Sequence, residues 1–182
     1  MADEAMVERV FEQLFGEAEA SVYAVLDGAS IEGLLPALRE DGPEHCCLYS
    51  GELEPDVEEA APYLVRLDRG SPFTHWLIAE GWGKHWGIFA LAKADLRAMR
   101  KHFRTFLMVR SPEGQPLYFR YYDPRVLRVY LPTCNAMELE AVFGLVLAYL
   151  AEAEKPQTML RFVRKGTSLD LAQVALPQSA GV

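Results

Sequence analysis

The stretch LYFRYYDPRVLRVYLPTC, Leu117 to Cys134, decides how this chain is read. It begins as a strand, because Tyr118, Phe119, Tyr121 and Tyr122 favour extended backbone and the turn signal Ser111-Pro112-Glu113-Gly114 precedes them. Extended pairing stops at Asp123-Pro124: proline has no N–H to donate and biases the residue before it. A second apolar run, Val126, Leu127, Val129, Tyr130 and Leu131, ends at Pro132. Among these aromatics lie Arg120, Asp123, Arg125 and Arg128. A carboxylate beside guanidiniums forms bidentate pairs that fix a corner of backbone. Arg120, Asp123, Pro124 and Arg125 are therefore read as a structural corner.

Working outward, 182 residues with 51% hydrophobic and 11% aromatic content describe one globular domain and exclude a disordered chain. No apolar run approaches the roughly 18 residues of a membrane span, and the opening Met1-Ala2-Asp3-Glu4 is acidic where a secretory leader is basic. A cytoplasmic location with no membrane partner is expected. Cys46 and Cys47 are adjacent and poorly placed to bond one another, which leaves Cys134 without a partner and suggests reduced thiols.

The net charge of −8 is unevenly spread. Residues 1–60 hold 16 acidic and 2 basic side chains, whereas residues 93–128 hold 9 basic and 3 acidic. A polarised surface suits a charged partner, unless the two segments face each other within the fold. Nucleic acid is not expected as that partner, since the chain is acidic and lacks a nucleic-acid motif.

In chain order, Val7, Val10, Phe11, Leu14 and Phe15 space a helix over residues 3–19. Strands are expected at Ser21–Asp27, Cys46–Tyr49, Pro62–Leu67 and Trp86–Leu91, with an acidic loop at Gly51–Ala61 and short helices at Ile31–Glu40, Pro72–Glu80 and Ala94–Arg104. Ser71-Pro72 marks a helix start, with serine as cap and proline at the first helical position. Thr105–Arg110 is expected to pair in a hairpin with Leu117–Tyr121. Asn135 and Glu138 form a capping-box pattern opening a last long helix, with Met137, Val142, Leu145, Val146 and Tyr149 on its buried face. Thr158–Val163 is expected as the final strand of a domain over 1–165, with 166–182 as a tail that loosens from Pro177. The sum is an α/β (α+β) chain: a mixed β-sheet covered by helices, in a single compact domain.

The chemistry on offer is sparse. Gly81-Trp82-Gly83 lacks the rest of any phosphate-binding fingerprint, and His45, His75, His85 and His102 are scattered at no metal-site spacing. No cofactor and no metal are expected. A Cys134–His85–Asp123 triad can be written, but nothing in the sequence around Cys134 would activate a thiol. Trp76, Trp82 and Trp86 lie within eleven residues and serve either the core or an interface.

Taken together, Tyr23-Ala-Val-Leu-Asp-Gly-Ala29, Trp76, Gly81-Trp82-Gly83, Trp86-Gly-Ile-Phe89, His102-Phe-Arg104, Leu107, and Phe119-Arg-Tyr-Tyr-Asp-Pro-Arg-Val-Leu127 with Leu131-Pro132 resemble the type VI secretion effector-chaperone family. Its adaptors contain the domain of unknown function numbered 4123. The resemblance runs from about Tyr23 to Gly144 and implies a bacterial cytosolic adaptor, not an enzyme. Such an adaptor binds a toxic effector and helps load it onto the secretion spike protein. No catalytic role attaches to the motif residues, and this chain has little beyond Val163 compared with longer members. A small hydrolase using Cys134 or His85, or a structural subunit of a larger assembly, stands as the alternative. For partner binding the expectation falls on Arg97, Arg100, Lys101 and Arg104 along one helix, with Trp82 as an aromatic anchor; Trp86 is assigned to packing.

Overall fold

From Val22 to Asp27 every residue of the first strand is buried, so both of its faces need cover. The computed structural model describes residues 3–177, and within them nine strands form. In chain order they are β1 (Ser21–Asp27), β2 (His45–Cys47), β3 (Pro62–Leu67), β4 (Gly87–Ala92), β5 (Met108–Arg110), β6 (Pro116–Tyr118), β7 (Val146–Glu152), β8 (Thr158–Lys165) and β9 (Ser168–Ala175). Seven build one sheet in the order β2-β3-β1-β4-β7-β8-β9, while β5 and β6 pair only with each other.

The helices are α1 (Glu4–Phe15), α2 (Leu34–Asp41), α3 (Pro55–Ala60), α4 (Pro72–Gly81), α5 (Leu96–Arg104), α6 (Pro124–Tyr130) and α7 (Ala136–Phe143). Val22, Ala24 and Leu26 of β1 share one core with Val10 and Leu14 of α1, Leu38 of α2 and Phe73 of α4. Tyr23 and Val25, on the opposite face, share a second core with Met99 and Phe103 of α5, Leu127 of α6 and Leu139 and Phe143 of α7. Two apolar faces force two helical layers, and each fully buried large side chain contributes about 1.5–3 kcal/mol. The α+β class is thus observed, but the sheet is antiparallel at all six pairings and not mixed. The α4 crossover joins β3 to β4, which run parallel to one another, yet β1 lies between them and opposes both.

Four sequence expectations change in detail. The strand from Leu117 stops at Tyr118, and the second apolar run is helix α6, with Asp123 as its N-cap and Pro124 at its first turn. The acidic loop contains α3, which buries none of its residues. The Asn135–Glu138 capping box is present, but α7 ends at Gly144 (φ 40), and Val146 and Tyr149 belong to β7 instead of its buried face. The β4–β7 register shifts between Leu91 and Ala92, so Leu147 bulges and Val146 joins the same core as Tyr149. Finally, residues 168–175 are strand β9, paired with β8 over its full length, so no boundary falls at 165. Beyond Pro177, the expected loose end lies outside the described residues.

The corner around Pro124 positions the second helical layer. Asp123 Oδ1 accepts the Arg125 backbone N–H at 2.9 Å, and the Arg125 guanidinium grips both carboxylate oxygens, with Nη2 to Oδ2 at 2.7 Å. Arg120 does not join this pair: it reaches Asp27, at the end of β1, 93 residues away. The Trp-Gly motif also has a packing cause. A Cβ on Gly81 would meet the Trp86 ring at 2.4 Å, and one on Gly87 would meet the Val25 carbonyl oxygen at 2.3 Å.

Gly87→Ala should therefore destabilise the protein by roughly 2–3 kcal/mol, since backbone cannot yield as a flexible side chain does. A urea midpoint equal to wild type would contradict this packing. Asp123 gives a pH-resolved expectation. Burial alone would raise its carboxyl, but the hydrogen bonds and charge of Arg125 outweigh burial and leave it below the ordinary value. A carboxyl lowered in the folded state adds stability above its unfolded value, and that stability is lost as pH falls through the folded one. Asp123→Asn keeps an acceptor for the cap but loses the charge that Arg125 meets. It should be less stable than wild type by roughly 1–2 kcal/mol at neutral pH, the scale of a charge-assisted hydrogen bond. The gap should close below about pH 4; a gap independent of pH would contradict the assignment.

Candidate protein-docking surface

Helix α5 begins at Asp95, whose carboxylate accepts the Ala98 N–H at 2.8 Å. Met99 and Phe103 turn into the core, which leaves positions 97, 100, 101 and 104 along one outward stripe by helical spacing. Arg97, Arg100, Lys101, Arg104 and Thr105 line a groove of about 440 Å³. Arg100 is partly committed to the fold: its Nε donates to the Cys47 carbonyl at 3.1 Å and ties α5 to edge strand β2. Arg97 and Lys101 are exposed, and Arg104 is half-buried. Among the described residues, none of these four cations bonds a carboxylate. Within 93–128, among the described residues, only Lys93 and Arg120 reach acids of the first sixty residues, Glu19 and Asp27. The polarised charge is thus largely left to face outward.

Beside this groove lies an apolar one of about 330 Å³, lined by Leu53, Val57, Leu107, Met108, Tyr118 and Arg104, among others. The β5–β6 hairpin supplies its far wall. Met108 pairs with Tyr118 across the hairpin, and Tyr118, 67% exposed, packs on Tyr49 with ring centroids 5.6 Å apart. Val109 and Leu117, paired on the other hairpin face, are also exposed. Arg104 lines both grooves, so cationic and apolar surfaces are continuous.

Trp82 does not belong to this surface. It is buried, donates its indole N–H to the Pro156 carbonyl at 2.8 Å and stacks on Phe89. Trp86 packs on Trp76 at 5.2 Å between centroids. The exposed aromatic that sequence reading missed is Tyr118, packed on the half-buried Tyr49. The available signal was the strand Leu117-Tyr118 on a hairpin too short to bury both faces.

A second cluster occupies one end of the sheet. Asp27, Asp123 and Glu152 are each 5% exposed or less. Ser30 Oγ donates to Asp27 at 2.6 Å beside Arg120, while Glu152 Oε2 accepts the His85 backbone N–H at 3.3 Å and lies 2.9 Å from His85 Nδ1. Burial pushes the Glu152 carboxyl up, against the opposing pull of the Gly83 N–H and His85. His85 holds this position with φ 61, a left-handed conformation unusual outside glycine. Arg120 and Arg125 keep about half their surface in water over buried carboxylates, an arrangement that holds loops together. The candidate triad is not assembled: His85 is held by Glu152, Asp123 by Arg125, and the Cys134 thiol, pushed up by burial, bonds the Tyr130 carbonyl at 3.5 Å. Among the described residues no group of three or more His, Cys, Asp or Glu could hold a metal, and no helix is long and apolar enough to cross a membrane.

No curated protein and no solved structure matches the chain. The family described as "Domain of unknown function (DUF4123)" matches residues 22–141, from β1 into α7, and so takes in α5, the β5–β6 hairpin and the corner around Pro124 while leaving β7–β9 outside. With about two thirds of its length matched, the chain belongs to the DUF4123 family.

Proposed function

We propose that this protein is a bacterial cytoplasmic adaptor that binds a type VI secretion effector and helps load it onto the secretion spike protein. The resemblance of the Trp-Gly and FRYYDPRVL segments supplies the biological setting. The observation that carries the binding reading is the junction at Arg104, where an apolar groove with an exposed tyrosine runs into a groove lined by cations. That combination fits an amphipathic partner segment with acidic residues beside apolar ones. Tyr118 and Met108 supply most of the affinity, because exposed ion pairs contribute roughly 0–1 kcal/mol each. Arg97 and Lys101 steer the encounter and set orientation. Handover rests on exchange of protein contacts.

Capture from native cells, read by mass spectrometry, tests this reading. The partner recovered by wild type should be lost with Tyr118→Ala/Met108→Ser and retained with Met137→Ala, which truncates an exposed apolar residue on α7. Equal recovery by all three would overturn it. Surface binding of the captured partner should show Tyr118→Ala weakening affinity about tenfold or more. Arg97→Glu/Lys101→Glu should slow association and flatten its salt dependence with little change in stability. Kinetics identical to wild type would remove α5 from the interface.

A further inference from the structure

Strand β9 closes the sheet on the side away from β2, and among the described residues nothing pairs with its outer edge. The two-residue turn Gly166-Thr167 joins Lys165 to Ser168, and such a turn makes that pair exchange backbone hydrogen bonds. The Leu176 N–H to Gln157 carbonyl bond, 2.8 Å, keeps the same phase at the far end. Ser168, Asp170, Ala172 and Val174 therefore bond inward to β8. Leu169, Leu171, Gln173 and Ala175 point their N–H and C=O groups outward.

Soluble proteins blunt such an edge with lysine, proline, a bulge or a covering element. The β9 sequence SLDLAQVA has one charge, Asp170, and no proline, and it runs against β8 without a register shift. The opposite edge differs: β2 has three residues, and Arg100 already occupies one of its carbonyls. Leu171 is a large apolar side chain left 44% exposed on β9.

We propose that β9 pairs antiparallel with β9 of a second copy of this chain, about a two-fold axis at Ala172, joining two seven-stranded sheets into one. In this register Leu169 faces Ala175 of the second copy and Leu171 faces Gln173, so all four outward residues of each strand are paired. Eight inter-chain hydrogen bonds result, two for each of four pairs. Asp170 faces an apolar Val174 instead of another carboxylate, and the two Leu171 side chains become diagonal neighbours within reach of contact. Moving the axis to Asp170 sets that carboxylate against itself. Moving it to Leu171 or Gln173 leaves an outward residue facing Thr167 or Pro177, beyond the strand. An isologous pairing that satisfies every outward group makes a second copy the fitting occupant. The docking grooves stay free, because Leu48, Tyr49 and Leu53 follow β2 at the far edge of each sheet.

Sedimentation of the full chain across a concentration series tests the pairing. Wild type should reach twice the 20.5 kDa chain mass. Ala172 is exposed and faces its own copy at the axis, so Ala172→Lys and Ala172→Glu should each sediment as monomers and recover the dimer when mixed. Gln173→Pro, which deletes an outward N–H and leaves the β8 ladder intact, should also shift wild type toward monomer. A monomeric wild type at all concentrations would overturn the proposal. So would dimers that persist in both Ala172 variants, or variants that stay monomeric when mixed while retaining the wild-type circular dichroism.

Discussion

The Asp27 carboxylate is almost wholly removed from water, and its charge is met by Arg120 from 93 residues further along the chain. A buried carboxylate left without a counter-charge would cost several kcal/mol, so this contact fixes where the segment after β6 must go. Three residues later Asp123 caps α6, and α6 and α7 then close the second face of the sheet. The same segment anchors one end of the β5–β6 hairpin, through the Phe119 N–H to Leu107 carbonyl bond and the packing of Phe119 on Tyr130. One ion pair at the sheet end thus sets both the layer that covers the core and the hairpin that leaves it.

The contrast between those two regions is energetic. The central strands of the seven-stranded sheet are enclosed by two apolar cores, whereas the β5–β6 hairpin is a two-stranded piece with apolar side chains exposed on both faces. An isolated two-stranded hairpin is marginal in water and gains from any surface that covers it. Its exposed Met108, Val109, Leu117 and Tyr118 sit next to a helix whose cations are not neutralised within the described fold. A marginal apolar hairpin beside unneutralised charge is the feature on which the proposed docking role rests.

Much of this was legible in the sequence, and the misses share causes. Short apolar runs marked β1, β3 and β4, and the Asn135–Glu138 box placed the start of α7. The same chemistry that marked Ser71-Pro72 as a helix start was present at Asp123-Pro124, but the aromatics before it favoured a strand and masked the cap. Gly144 ends α7 two residues after Val142, so Val146 and Tyr149, apolar at helical spacing, read as helix when they are strand. Strand β9 has little apolar alternation because its faces are largely exposed. The Asp27–Arg120 tie was invisible because local spacing offered Asp123 as a nearer partner. Residue type alone makes Trp82 an anchor, and its burial places it in the core instead.

Hydrogen–deuterium exchange on the complex with the captured partner tests the docking surface most directly, because it reports each segment without substitution. The account predicts slowed exchange across residues 104–118 and 48–57 on binding, with β1 and β4 unchanged in their already protected core. Protection confined to the α1, α2 and α4 layer, with the hairpin exchanging as in the free protein, would contradict it.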